Sequence, residues 1–324
     1  MTTSESVLPA SLAWDSLVRR SIEAWDLLIR DGRRLEKSFL ESFADLDDLL
    51  DQPKEIPMFW FFQLRESFLS QKTMTKWSRD RLDDYVLLPA TLGFVTRTDC
   101  FFVSHFWHTQ DDPDPDGKYL HLLQDELRPQ SWSYIWTDWT CAPQAPRAEK
   151  EEKYFTRTLQ TMSGIIRNSG FIWYYPPWKP RMWILYEIAE YSLTCDGKLE
   201  TTADMREFAE HIEEMLQVGV RPTLDKHGYK CTYDRDEEFL TFWLEALVLF
   251  KTLHFSTDDI RRFQDQITWH PSVQWLCMNT IHGRAELYRY EGTLTFGGQS
   301  YKLTPYPNWV LEQEDGKYSV KLRS

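Results

Sequence analysis

Ser104 ends a short apolar run, Asp99-Cys100-Phe101-Phe102-Val103-Ser104, and His105, Phe106, Trp107 and His108 follow at once. A polar cluster at the end of a strand lines the cleft of a parallel sheet, or else is an ordinary strand-to-loop turn with a capping serine. Asp138-Trp139-Thr140-Cys141 ends a second apolar run and puts a carboxylate and an aromatic at the same edge, unless Asp138 simply caps backbone amides. A third run ends in Tyr174-Tyr175-Pro176-Pro177-Trp178 and leads to Arg181-Met182-Trp183-Ile184-Leu185-Tyr186-Glu187-Ile188-Ala189-Glu190. Trp183 and Glu187 are four residues apart, as are Tyr186 and Glu190, so on a helix each pair shares a side one turn apart. That combination suits stacking of a planar ring while a desolvated glutamate stabilises positive charge or moves a proton, because an apolar wall raises its pKa. A solvated glutamate beside a packed indole has the same spacing.

These groups need elements to hold them. The spacing predicts strands at 99–104, 134–137 and 170–175, and helices at 118–127, 147–166 and 181–191. Strand and helix in alternation favour a parallel sheet with covering helices, whose ligands sit beyond the carboxyl ends of the strands. Apolar steps of three and four from Leu12 to Ile29 predict an amphipathic helix, and a second helical stretch carries Phe59, Phe62, Leu64 and Phe68. Helices are expected again at 205–216 and 236–253, and then a tail of alternating strands with hairpin turns at Gly297-Gly298 and Asp315-Gly316. The expected architecture is an α/β, Rossmann-like or flavodoxin-like core over residues 97–193. A helical region over 1–96 packs on it, a second helical region covers 194–283, and a β-hairpin tail covers 284–324.

Composition narrows the classes of function. The 324 residues carry 37 Lys and Arg against 50 Asp and Glu, a net charge of −13, which disfavours broad nucleic-acid binding. The start, Met1-Thr2-Thr3-Ser4-Glu5-Ser6, has no basic and apolar secretory pattern, and no apolar run is long enough to cross a bilayer, so a cytoplasmic protein without membrane contact is expected. Cys100, Cys141, Cys195, Cys231 and Cys277 lack CxxC or paired histidine spacing and read as buried thiols. Asp112-Pro113-Asp114-Pro115-Asp116-Gly117 opens like a calcium loop, but position twelve is Leu123 instead of glutamate, so it reads as a rigid acidic lead into a helix. His211, His227, His254, His270 and His282 have no spacing that points to a metal, and no metal is expected. Glycine-rich dinucleotide and phosphate loops and the GxSxG elbow are missing, so a nucleotide would be held by ring stacking and side chains; 15 Trp, 15 Tyr and 19 Phe supply the rings.

The boxes together resemble those of Toll/interleukin-receptor (TIR) domains. Residues 99–104 resemble the first box, Ile135-Trp136-Thr137-Asp138 the second-strand box, and Arg181 to Glu187 the plant-type helix motif Ser-Arg-Trp-Cys-Leu-Asp-Glu. Ser104-His105-Phe106-Trp107, Pro113-Asp114-Pro115-Asp116-Gly117 and Asp138-Trp139-Thr140-Cys141-Ala142-Pro143-Gln144 are similar to TIR-like proteins with Ser-His-Arg-Trp, Pro-Asp-Pro-x-Gly and Asp-x-x-Cys-x-Pro-Gln. Phe106 stands where arginine is usual, and Met182 and Ile184 replace polar or cysteine positions. The resemblance spans residues 97–193. It implies cleavage of the nicotinamide–ribose bond of NAD as substrate, with no required cofactor, and Glu187 as the key carboxylate. Ser104, His105, Asp138, Trp183, Tyr186 and Glu187 would converge at the site, with Trp107, His108 and Arg181 helping to bind substrate.

A second resemblance is to cyclodipeptide synthases, which use aminoacyl-tRNA and carry a serine after the first strand and a Tyr-x-x-x-Glu helix motif. Ser104 would then take the aminoacyl group while Tyr186 and Glu190 hold the substrate ammonium and shuttle its proton. A third reading is a TIR-like interaction module, in which Trp183 and Glu187 pack and partners dock on exposed helices.

Overall fold

Phe59-Trp60-Phe61-Phe62 is apolar at every position, which suits a strand buried on both faces as well as it suits a helix. In the computed structural model, which describes residues 10–28, 34–109, 111–175, 178–195, 202–270, 273–314 and 317–322, it is a strand. The chain divides into two units. The first comprises Met1–Val103, Trp107–Thr161 and Asn168–Ile172, and the second Ser104–Phe106, Met162–Arg167 and Trp173–Ser324.

The first unit opens with helices α1 (Ala10–Leu28), α2 (Arg34–Glu41) and α3 (Leu46–Leu50). Strand β1 (Phe59–Leu64) and the short helix α4 (Arg65–Ser70) follow, then strand β2 (Tyr85–Pro89). The expected helical stretch around Phe59 is therefore corrected: the helix starts only at Arg65, and two strands lie within the region expected to be helical. The cause is burial on both sides of β1. Phe59 and Phe61 share one face, where they meet Trp25, Phe43, Trp77, Tyr85 and Tyr154, and Trp60 and Phe62 on the other face are buried as well, so no polar face remains to mark the period.

Next come β3 (Cys100–His105), α5 (Lys118–Leu127), β4 (Tyr134–Trp136), the single turn α6 (Asp138–Cys141), α7 (Glu149–Thr161) and β5 (Gly170–Tyr174). The sheet order is β2-β1-β4-β3-β5. β3 and β4 run parallel, whereas β1 is antiparallel to both β2 and β4, so the sheet is mixed instead of all parallel. Phe68, Val103, Leu120, Leu123, Leu127, Trp132, Ile135 and Ile172 form one apolar cluster beneath α5. Gly170 is dictated by a neighbour, since a Cβ there would lie 2.7 Å from the Phe101 ring. The acidic loop before α5 is a helix cap. Asp114 is buried, and its carboxylate accepts the backbone N–H groups of Tyr119 at 3.1 Å and Leu120 at 2.8 Å.

β2 is an edge strand, and α1 supplies the partners that a further strand would have given. The Leu87 N–H donates to Ser21 Oγ at 2.9 Å, Trp25 Nε1 donates to the Leu87 carbonyl at 2.7 Å, and Arg20 Nε donates to the Tyr85 carbonyl at 2.8 Å. Ser21→Ala is expected to orphan a buried N–H and cost about 1–3 kcal/mol, read as a lower urea midpoint. An unchanged midpoint would mean that the edge is satisfied by another group.

The second unit is built on helices α8 (Ser163–Asn168), whose last residue belongs to the first unit, and α9 (Met182–Leu193). They are followed by α10 (Arg206–Val218), α11 (Val220–His227), α12 (Arg235–Thr252) and α13 (Thr257–Trp269). α12 is apolar nearly all round, with Phe239, Leu240, Phe242, Trp243, Leu244, Ala246, Leu247 and Phe250 buried, as expected of a helix at the centre of its unit. Strands β6 (Trp275–Thr280), β7 (Gly283–Tyr288), β8 (Thr293–Phe296) and β9 (Gln299–Lys302) form an antiparallel meander, and β10 (Trp309–Glu314) pairs with β11 (Lys317–Leu322). The tail is therefore larger than a hairpin and starts inside the region expected to be helical. The alternating stretch from Glu286 to Leu294, one of the tail's runs in the sequence, is broken at Gly292 (φ +58°), where a Cβ would lie 2.2 Å from the Leu303 carbonyl oxygen. Gly297-Gly298 makes the expected turn, while Asp315-Gly316 lies outside the described residues. No helix among the described residues is long and apolar enough to cross a membrane.

Candidate functional site

Ser104 is 1% exposed and sits at the end of β3, in the part of that strand that belongs to the second unit. Its Oγ donates a short hydrogen bond to Glu187 Oε2, and the Tyr175 hydroxyl donates to Ser104 Oγ at 2.8 Å. Three elements thus meet in one chain of hydrogen bonds: the end of β3, the residue just after β5, and the middle of α9. Glu187 is half-buried whereas Ser104 and Tyr175 are buried. Burial first, and then the Glu187 charge, push the Tyr175 phenol well above its ordinary value, while the bond to Ser104 pulls weakly the other way. Tyr175 is therefore a neutral donor at any working pH. A hydroxyl that receives one proton and passes its own to a carboxylate has a fixed direction of donation, and the carboxylate oxygen it serves is held in place.

One turn earlier on α9, Trp183 is half-buried, and its indole Nε1 donates to Asp236 Oδ2 at 3.0 Å. The Trp183 ring packs edge-on to Tyr186 at 6.2 Å and lies tilted to Phe239 at 6.1 Å. His105, the last residue of β3, and Phe106 after it are both buried, and the Phe106 N–H reaches the Tyr174 carbonyl at 3.4 Å. Arg181 and Lys179 lie over the Phe106 ring, with the Arg181 guanidinium carbon 5.2 Å and Lys179 Nζ 5.0 Å from its centroid.

Tyr186 and Glu190 are turned elsewhere. Both are 0% exposed, and Glu190 Oε1 accepts from Arg167 Nη1 at 3.2 Å. Arg167 is itself fully buried and donates from Nε (2.9 Å) and Nη2 (2.6 Å) to Asp265 Oδ1, and from Nη2 to Thr268 Oγ1 (2.9 Å). Glu190 Oε2 has no hydrogen-bond partner among the described residues. Burial raises the Glu190 carboxyl to about 7, with Arg167 pulling against it. Burial and then Glu190 push the Tyr186 phenol well above its ordinary value.

Trp107, His108 and Asp138 belong to the first unit and form their own group. Trp107 Nε1 donates to Asp138 Oδ2 at 3.0 Å, the Trp139 N–H donates to Asp138 Oδ1 at 2.6 Å, and the Trp107 and Trp139 rings meet edge-on at 5.2 Å. His108 stacks on Tyr119 at 4.8 Å. Asp138 thus receives a backbone amide at the start of α6, the capping use its position allowed, and an indole as well.

The structure therefore brings Ser104 and Glu187 together and gives Glu190 to Arg167. Three participants went unnoticed as site residues in the sequence. Tyr175 stands at a strand end, where position alone would have flagged it. Arg167 and Asp265 are 98 residues apart, with no spacing to connect them. Among the described residues no group of three or more His, Cys, Asp or Glu is placed to hold a metal ion. Two distant histidines do meet, His211 and His227, stacked 3.5 Å apart beside Glu214. Cys100 and Cys141 are buried and their thiols pushed up to about 12, while Cys195, Cys231 and Cys277 are half-buried, a departure from the expectation that all five are buried. For Cys277 the reason is local: it falls between buried Leu276 and Met278 on β6 and so points to the other face. Comparison of the chain with protein-family models, with curated proteins and with solved structures gives no match.

Proposed function

We propose that the chain is a TIR-like, Rossmann-like enzyme that cleaves or transfers at the glycosidic bond of a nucleotide of the NAD type, with Glu187 as the carboxylate facing the reacting carbon. The observation that carries this reading is the difference in exposure along one hydrogen-bonded chain: Ser104 and Tyr175 are buried and Glu187 is half-buried. A buried hydroxyl that donates to a carboxylate is suited to positioning it. A nucleophilic serine would have to be reached by its substrate. The same contrast weighs against the aminoacyl-transfer reading, whose helpers Tyr186 and Glu190 are fully buried and occupied in part by Arg167.

In the reaction, the C1′–N bond breaks and its electron pair neutralises the pyridinium nitrogen, leaving positive charge on the ribose. Glu187 stabilises that charge from close by, which is strongest where water is excluded. Water then forms the new C1′–O bond and releases one proton to solvent. Ser104 and Tyr175 hold Glu187 Oε2 still, so the carboxylate needs little reorganisation as charge develops.

The test is incubation with NAD and chromatography of the products, where nicotinamide release is expected. Tyr175→Phe and Ser104→Ala, acting through Glu187, should lower kcat by roughly 10-fold to 100-fold with KM little changed, the mark of an interaction made in the transition state. Cyclic dipeptide formed from charged tRNA and lost in Ser104→Ala would replace this reading with the second one.

A further inference from the structure

We infer that Lys179 and Arg181, laid together on the ring of Phe106, form a clamp for the diphosphate of the nucleotide. The inference rests on the glycosidic reading of the same site and adds to it the residues that would hold the diphosphate of its substrate. Two cations sit 5.0 Å and 5.2 Å from the centroid of one aromatic ring, and neither has a carboxylate within 4.0 Å among the described residues. This occurs in a chain with 50 Asp and Glu against 37 Lys and Arg, where an unpaired pair of neighbouring cations runs against the general balance. The ring's quadrupole attracts both cations, and an anion bound by both would offset the repulsion between two like charges held near one ring.

Their backbone is pinned as well. The Arg181 N–H donates to the Lys179 carbonyl at 2.8 Å, and Arg181 bridges to Lys230, whose N–H donates to the Pro180 carbonyl at 3.1 Å and whose carbonyl accepts from Met182 at 3.2 Å. Lys230, exposed and likewise without a carboxylate at ion-pair distance among the described residues, adds a third positive charge to the same segment. The clamp is correctly spaced for the chemistry. Phe106 is two residues beyond Ser104, and Arg181 immediately precedes α9, on which Glu187 lies about 9 Å further along the axis. A ribose 5′-diphosphate spans that distance, with C1′ at the carboxylate and the phosphates at the cations. Arginine offers two parallel N–H donors to a phosphate, and lysine a compact charge.

The test is titration of the full chain with ADP, inorganic pyrophosphate, inorganic phosphate and adenosine, followed calorimetrically. ADP and pyrophosphate are expected to bind at least tenfold more tightly than adenosine and inorganic phosphate. Lys179→Gln with Arg181→Gln should erase that preference without changing the weak binding of adenosine, and both positions are open enough for the variant to keep its Tm. Arg181→Lys should retain part of it. ADP bound by the double variant as by the parent, or no preference for ADP over adenosine, overturns the clamp. So does tighter binding of uncharged tRNA that the same variant abolishes while ADP is ignored, since the cations would then serve a polynucleotide. Incubation of the parent with NAD separates the two readings: ADP binding that depends on the cations, in a parent protein that never releases nicotinamide, keeps the clamp and removes the glycosidic chemistry.

Discussion

Glu187→Gln should abolish nicotinamide release, by at least roughly 10²–10³-fold in kcat, while leaving the protein folded. The two halves of that expectation have separate causes. The amide keeps the volume of the carboxyl and offers a carbonyl oxygen to the Ser104 hydroxyl, so the chain from Tyr175 through Ser104 survives and Tm should move little. On the proposed glycosidic reading, what disappears is the negative charge that would face the reacting carbon. A dipole in place of a full charge stabilises an oxocarbenium ion far less, and the loss falls on the transition state more than on the bound substrate. The measurement is kcat and KM for NAD alongside thermal unfolding. A variant that keeps most of its kcat would place the chemistry on another group, and one that no longer unfolds cooperatively would show that Glu187 is a packing residue.

That experiment tests the part of the site the sequence displays most openly. Strand ends are legible because apolar runs such as Asp99 to Ser104 stop abruptly at polar residues, and β3, β4 and β5 begin and end within two residues of where the runs do. A helix from 181 is legible from its three-to-four spacing, which places Glu187 one turn after Trp183. β1 is not legible, since a strand packed on both faces carries no alternation, and its partner β2 is recognised only once β1 is known. Nor is the mixed pairing of the sheet, because direction depends on the connections between strands and not on the strands themselves. Within the site, Glu187 and Glu190 are three residues apart on α9 and so are neighbours on its surface, and spacing alone cannot say which of the two faces a cleft. Burial decides it, and burial is set by Arg167 and Asp265, which come from α8 and α13.

Arg167→Met should be the most destabilising single change in the second unit, by about 3–5 kcal/mol, because it removes the one cation between two buried carboxylates and leaves their charge unpaired. The loss of packing is small, since methionine fills most of the volume, so the cost is mainly electrostatic. Its signature is therefore a pH dependence. In the parent, burial holds the Glu190 carboxyl at about 7, above its unfolded value, so the fold keeps a proton that the unfolded chain has given up. The stability this brings is fully present below the ordinary glutamate range and is lost as pH rises through about 7. The groups facing Glu190 are Arg167 from α8, Asp265 and Arg261 from α13, and Tyr186 from its own helix. With Arg167 gone, only Arg261 opposes the raised value, so the slope should steepen and the variant should be rescued by acid. Glu190→Gln in the parent should flatten the slope between pH 5 and pH 7.5, about the interval bounded by the unfolded and folded values. Adding Glu190→Gln to Arg167→Met should recover part of the stability, since one of the two stranded charges is then neutral. Urea midpoints of the four proteins at pH 5 and pH 7.5 decide the matter. If Arg167→Met loses the same stability at both pH values and gains nothing from Glu190→Gln, the arginine acts through its shape and its bonds to Asp265 and Thr268, and the charge on Glu190 plays no part in holding α8, α9 and α13 together.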